Sequence, residues 1–132
     1  MSEAIKTFLT SPAFAVAGAS TNRDKFGNKV LRCYLQHQKT VYPINSHEEK
    51  IEGLLALKQV SDLPTNVHSL SIVTPPPVTE KIIAEAIQHG IKNIWMQPGA
   101  ESSLAIEICK KNNINVIAGG PCILVELGCH NL

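Results

Sequence analysis

The sequence predicts a doubly wound α/β fold: a parallel sheet of about five strands with helices on both faces. Apolar runs of β type alternate along the chain with segments of helical period. The strand candidates read as near-continuous apolar stretches, the pattern of strands covered on both sides. Gly and Pro punctuate the junctions between them.

Taken in order, Ile5, Phe8 and Leu9 suggest a short helix, followed by a buried strand at Ala13-Phe14-Ala15-Val16-Ala17. Val30, Leu31, Tyr34 and Leu35 form one stripe of a helix opening near Lys29, and a strand follows at residues 40–44. Residues 53–57 suggest a short edge strand before the turn-like Ser61-Asp62-Leu63-Pro64. A strand at 70–73 leads to a helix whose stripe is Val78, Ile82, Ile83, Ala86 and Ile87, with Pro77 in its first turn and Gly90 as its C-cap. A strand at 92–96, a helix with Leu104, Ala105, Ile108 and Cys109 on one face, a strand at 114–118 and a last helix from Pro121 complete the order. One domain over residues 1–132 is expected, because a chain of this length buries one core.

Composition excludes several classes of function. Hydrophobic residues make up 44% of the chain and charged residues 17%, and no run approaches the roughly 20 apolar residues of a membrane-spanning helix. Twelve basic and eleven acidic residues give a net charge of +1, so neither nucleic acid nor an anionic membrane is an expected partner. A protein partner or a homo-oligomer is left open. The first residues contain no basic segment leading into a long apolar run, and a cytoplasmic protein is expected. Cys33, Cys109, Cys122 and Cys129 include no C-x-x-C pair, so free thiols are expected rather than a disulfide framework.

In an open sheet of this kind, ligands bind beyond the carboxyl ends of the strands. The loop after the first strand, Gly18-Ala19-Ser20-Thr21-Asn22-Arg23-Asp24-Lys25, is the most informative. Its small residues let a phosphate approach the backbone, and the amides and dipole of the following helix attract an anion. Ser20 adds a hydroxyl, while Arg23 and Lys25 add positive charge. The dinucleotide fingerprint G-x-G-x-x-G fits poorly, since Ser20 and Arg23 occupy its second and third glycine positions. The second strand ends in Ile44-Asn45, without the carboxylate that holds a ribose diol.

Five loop motifs in this order resemble the small stand-alone CoA-binding domain proteins, Rossmann-like and similar to the N-terminal domain of the succinyl-CoA synthetase α subunit. They are Val16-Ala17-Gly18-Ala19-Ser20, Gly27-Asn28-Lys29-Val30, Val41-Tyr42-Pro43-Ile44-Asn45, Gln97-Pro98-Gly99 and Cys122-Ile123-Leu124-Val125-Glu126, and the resemblance is strongest over residues 14–127. It implies coenzyme A or an acyl-CoA as cofactor. By position, it implies that Gly18, Ala19 and Ser20 contact the pyrophosphate, with Arg23, Lys25 and Asn28 as phosphate or ribose partners. Asn45 is then near the adenosine, Val73, Thr74 and Pro75 line the crevice, and Gln97 and Gly99 face the pantetheine arm. The run Pro75-Pro76-Pro77 and the approach Gly119-Gly120-Pro121 depart from the family pattern.

Catalytic groups are sparse. His37, His47, His68, His89 and His130 show no pair at metal-ligand spacing on one helix face, and no metal is expected. Ser20 lacks the surround of a hydrolase nucleophile elbow. Cys122 has two readings: a thiol facing the ligand from a helix start, where amide dipoles favour the thiolate, or a small buried hydrophobe. Trp95 reads as core. The expected function is a CoA-binding module without catalysis of its own; the alternatives are an NAD(P)-linked oxidoreductase and a CoA-thiol enzyme using Cys122.

Overall fold

The computed structural model describes residues 1–129 and residue 132 of the chain; His130 lies outside the described residues. The elements run α1 (Glu3–Phe8), β1 (Ala13–Ala17), α2 (Phe26–Gln36), β2 (Val41–Ile44), β3 (Lys50–Ile51), β4 (Leu54–Leu55), a 3₁₀ turn (Val60–Asp62), β5 (Val67–Ile72), α3 (Pro76–His89), β6 (Asn93–Met96), α4 (Ser103–Lys111), β7 (Asn115–Ile117) and α5 (Ile123–Glu126). Five strands form a parallel sheet in the order β2-β1-β5-β6-β7. The fold is α/β and Rossmann-like. After β1 the chain builds outward to β2 and then returns to the other side of β1 to lay down β5. The topological switch point therefore lies between β1 and β5, at Gly18 and Val73.

Alternation along each strand divides the core between the two faces. Ala13, Ala15 and Ala17 pack with Ile83 and Ala86 of α3 and with Ala105 and Cys109 of α4. Phe14 and Val16 point the other way, into a cluster with Ile5 and Phe8 of α1, Val30, Leu31 and Tyr34 of α2, and Ile123 of α5. Trp95 is fully buried on that second face, edge-on to Phe8 at 5.3 Å, and its Nε1 donates to the Pro121 carbonyl at 3.0 Å. Small polar residues there are all satisfied: the Ser69 hydroxyl donates to the Phe8 carbonyl at 2.6 Å, and Ser71 meets the Tyr34 hydroxyl at 2.6 Å.

Local chemistry explains the helix ends. Ser2 caps α1 and Ser102 caps α4, each hydroxyl accepting from an amide three residues on at 3.2 Å. α3 opens with Pro76 and Pro77, which have no N–H to leave unpaired, and ends at Gly90 in the left-handed conformation, φ +89°.

Several features differ from the sequence reading, among them β5, which begins at Val67, three residues before the expected Leu70. Residues 53–57 do not form one edge strand; β3 and β4 make a separate antiparallel hairpin, and Leu57 alone reaches the main sheet, bridging Ile44. Its two-residue turn, Glu52-Gly53, has φ +50° and +80°, the mirror-image turn that suits strand twist and for which the glycine is required. α2 begins at Phe26, three residues before Lys29. Finally, Cys33 and Cys129 are joined in a disulfide across 96 residues, Cα–Cα 5.7 Å, and only Cys109 and Cys122 are free. Spacing along the chain gives no hint of that pairing, because it is created when the segment after α5 folds back onto α2. In the chain-entropy account a loop of about 100 residues gives a stabilisation of about 4–5 kcal/mol.

Candidate functional site

The switch point is built by two glycines. Gly18 ends β1 at φ +89°, and a Cβ there would strike the Val73 carbonyl and lie 2.9 Å from Thr74 Cγ2. Val73 in turn donates its N–H to the Ala17 carbonyl at 2.9 Å, which draws the ends of β1 and β5 together. Gly27, in the first turn of α2, rests against the Gly18 carbonyl so closely that a Cβ would overlap it. The helix start is thereby held directly over the strand end.

α2 has no side-chain cap, unlike Ser-capped α1 and α4, and no acidic residue in its first turn. Its N-terminal amides and positive dipole end face a cavity of about 490 Å³ lined by Gly18, Ala19, Ser20, Lys25, Asn45 and Val73, together with Phe26 and Gly27. A second recess of about 280 Å³ shares Gly18 and Asn45 and continues past Thr74 to Lys58, Val78 and Ile82. A recess of about 590 Å³ lies at the opposite end of the sheet, between Thr10, His68, Lys92 and Asn112. It is remote from the switch point and includes none of the residues expected to bind the cofactor.

Two asparagines fix the loop's shape. Asn28 is fully buried; its Nδ2 donates to the Ser20 carbonyl at 2.8 Å and to Glu52 Oε2 at 3.1 Å, and its Oδ1 accepts from Arg32 Nε at 2.6 Å. Asn45 donates to the Ala19 carbonyl at 2.9 Å and accepts the amides of His47 and Glu48 at 2.7 and 3.0 Å. Both side chains thus organise the loop from below and from the side. Arg23 turns toward the hairpin and pairs with Glu52 at 3.4 Å, while Lys25 is exposed at the cavity.

Four of the expected residues, Pro75, Gln97, Gly99 and Cys122, line neither recess at the switch point. Pro75 is exposed at the start of α3, and Gly99 is exposed with its N–H donated to Glu101 at 2.6 Å. Gln97 is buried: its Oε1 accepts the Ile123 amide at 2.8 Å and its Nε2 lies 3.4 Å from Cys122 Sγ. Cys122, half-buried, is the N-cap of α5, with an amide and no base as its side-chain partner. By contrast, burial pushes the Cys109 thiol up to about 11.

Sequence reasoning missed Phe26 and Glu52. Phe26 is 57% exposed at the cavity, with Lys29 Nζ 5.6 Å from its ring centroid. A lone aromatic in a polar loop was its available signal. Glu52 lies 24 residues from Asn28, and only the hairpin brings it to the loop.

Residues 12–128 match the CoA-binding domain family. The chain belongs to that family. It is 32% identical over 88 residues to the acetate–CoA ligase (ADP-forming) II subunit alpha of Pyrococcus furiosus, covering 66% of this chain and 19% of that protein. With the ADP-forming acetate–CoA ligase of Methanocaldococcus jannaschii it shares 27% identity over 124 residues, 88% of this chain and 17% of the relative. The chain therefore spans less than a fifth of the length of these curated relatives. Among solved structures, a conserved hypothetical protein from Pyrococcus furiosus superposes with a TM-score of 0.82 at 37% identity, covering 86% of this chain and 97% of the other. The region matched is thus a small part of the ligase chains and nearly the whole of the chain in that solved structure.

Proposed function

We propose that this chain is a nucleotide-binding module for coenzyme A, free or acylated. The observation that supports the reading most strongly is the uncapped, acid-free first turn of α2, held by Gly27 against Gly18 beside Ser20 and Lys25. That arrangement suits a pyrophosphate, which accepts hydrogen bonds from the amides and the Ser20 hydroxyl while Lys25 neutralises charge. The recess past Asn45 toward Val78 and Ile82 suits the adenosine. In this reading the pantetheine arm runs past Val73, Thr74 and Pro75 toward Gly99 and Cys122, and the Gln97 hydrogen bonds to Cys122 and to the Ile123 amide support a fixed position for that thiol. The relatives' ligase activity is not part of this reading.

Native mass spectrometry of the protein as purified, and after addition of CoA, NAD or ATP, tests the proposal. A one-to-one adduct with the mass of CoA or an acyl-CoA is expected. A chain that carries NAD(P), or that prefers NAD when offered both, overturns it.

A further inference from the structure

Cys33 in the last turns of α2 and His37, the C-cap that ends it, lie four residues apart, and Cys129 is brought to them by the segment after α5. The ligand atoms of the three side chains all lie within 4.8 Å of one another. A structural disulfide has no need of an imidazole at its side. Two thiolates and one imidazole, however, are the donor set of a borderline-soft cation.

We propose that Cys33, His37 and Cys129 form a Zn²⁺ site that becomes available when the Cys33–Cys129 disulfide is reduced. Tetrahedral zinc, with bonds of about 2.3 Å to sulfur and about 2.0 Å to nitrogen, sets its donor atoms about 3.5–3.8 Å apart. The cluster is already gathered within a little more than that spacing. Once the sulfurs part, the adjustment needed is a matter of side-chain rotation about Cα atoms 5.7 Å apart. His37 is exposed and gives an ion its route in, whereas Cys33 and Cys129 are buried in the apolar cluster under α2 and α5. Three protein ligands leave the fourth position to water.

The two states exclude each other. In the disulfide both sulfurs are committed to one another. A dithiol reductant breaks the Sγ–Sγ bond by supplying two electrons and two protons, and closes its own disulfide in doing so. Zn²⁺ then replaces the two thiol protons, and its binding tightens as pH rises through the range in which those protons leave. The histidine spacings read from the sequence could not disclose this site, since it has a single histidine and takes one ligand from the far end of the chain.

The test is Co²⁺ titration of the full chain, reduced and freed of metal, followed by competition with Zn²⁺. One equivalent of Co²⁺ is expected, with thiolate-to-cobalt charge-transfer absorption and the d–d bands of a tetrahedral ion, and Zn²⁺ should erase both. The oxidised chain should bind none. Cys129→Ser should abolish the charge-transfer band and His37→Ala should weaken binding at least ten-fold, with circular dichroism showing both variants folded. Failure of the reduced chain to take up Co²⁺, or unchanged affinity in either variant, overturns the site.

Discussion

Gly27 packs onto the carbonyl of Gly18 with no room for a side chain, so the first turn of α2 and the end of β1 are one rigid unit. In an ordinary helix Gly→Ala is stabilising by about 1 kcal/mol. Here the sign reverses, because the obstacle is backbone rather than a side chain that could swing away. Gly27→Ala is expected to destabilise the fold by about 1–3 kcal/mol and to lower CoA affinity ten-fold or more as α2 shifts off the loop. Urea unfolding and ligand titration on the same preparation measure both effects.

Asn28→Ala leaves the Ser20 carbonyl, Glu52 and Arg32 without the partner that joins them. Removing one member of a buried polar network costs about 1–3 kcal/mol, and that loss is expected here. CoA affinity should fall as well, although the Asn28 side chain lies beneath the cavity. A variant as stable as the parent would show the network to be dispensable.

Lys25 and Glu52 act with opposite sign on a bound phosphate. Lys25→Ala should weaken CoA binding, and the loss should shrink with added salt, because exposed charges are screened over about 8 Å at physiological ionic strength. Glu52→Gln keeps an acceptor for Asn28 but frees Arg23 from its ion pair, and should tighten binding by up to about five-fold. Titrations at two salt concentrations separate these charge effects from changes in shape.

Much of the fold was legible because burial on both faces leaves a simple mark. The strands ending at Ala17, Ile44 and Met96 are largely apolar runs, and the helices between them keep one apolar stripe, whereas β5 carries His68, Ser69 and Ser71 and begins three residues before the strand read at 70–73. The Gly18-Ala19-Ser20 loop was legible for the same reason, since a strand end, small residues and a helix start are adjacent in sequence. What sequence could not disclose depends on chain return. Glu52 reaches Asn28 only through the β3–β4 hairpin, and Cys129 reaches Cys33 only after the whole sheet has formed. The type and place of Asn28 suit a ligand partner, whereas its full burial, with three protein partners, is a property of packing that sequence does not carry.

The thiols should separate by setting. Without reductant, iodoacetamide should label Cys122 first, since Cys109 is buried with its thiol held protonated to about 11, and bound CoA should protect Cys122. Cys33 and Cys129 should label only after reduction, and reduction in the presence of a chelator should lower stability by about 2–5 kcal/mol. The Cys109 shift also has a pH consequence. The unfolded chain releases that proton near pH 9 and the folded chain near 11, so the stability it contributes is intact below pH 9 and lost between pH 9 and 11. Denaturant midpoints across that range measure the decline, and Cys109→Ala should flatten it between pH 9 and 10, above which the buried Tyr34 hydroxyl, raised by desolvation, adds a decline of its own.

Isothermal titration of CoA into the full chain, with NAD titrated under identical conditions, measures the central claim most directly. The account predicts saturable binding of one CoA per chain, stronger than that of NAD, and weakened in Lys25→Ala more at low salt than at high salt. Binding of NAD at least as tight as that of CoA, or no saturable binding of CoA at all, would contradict it.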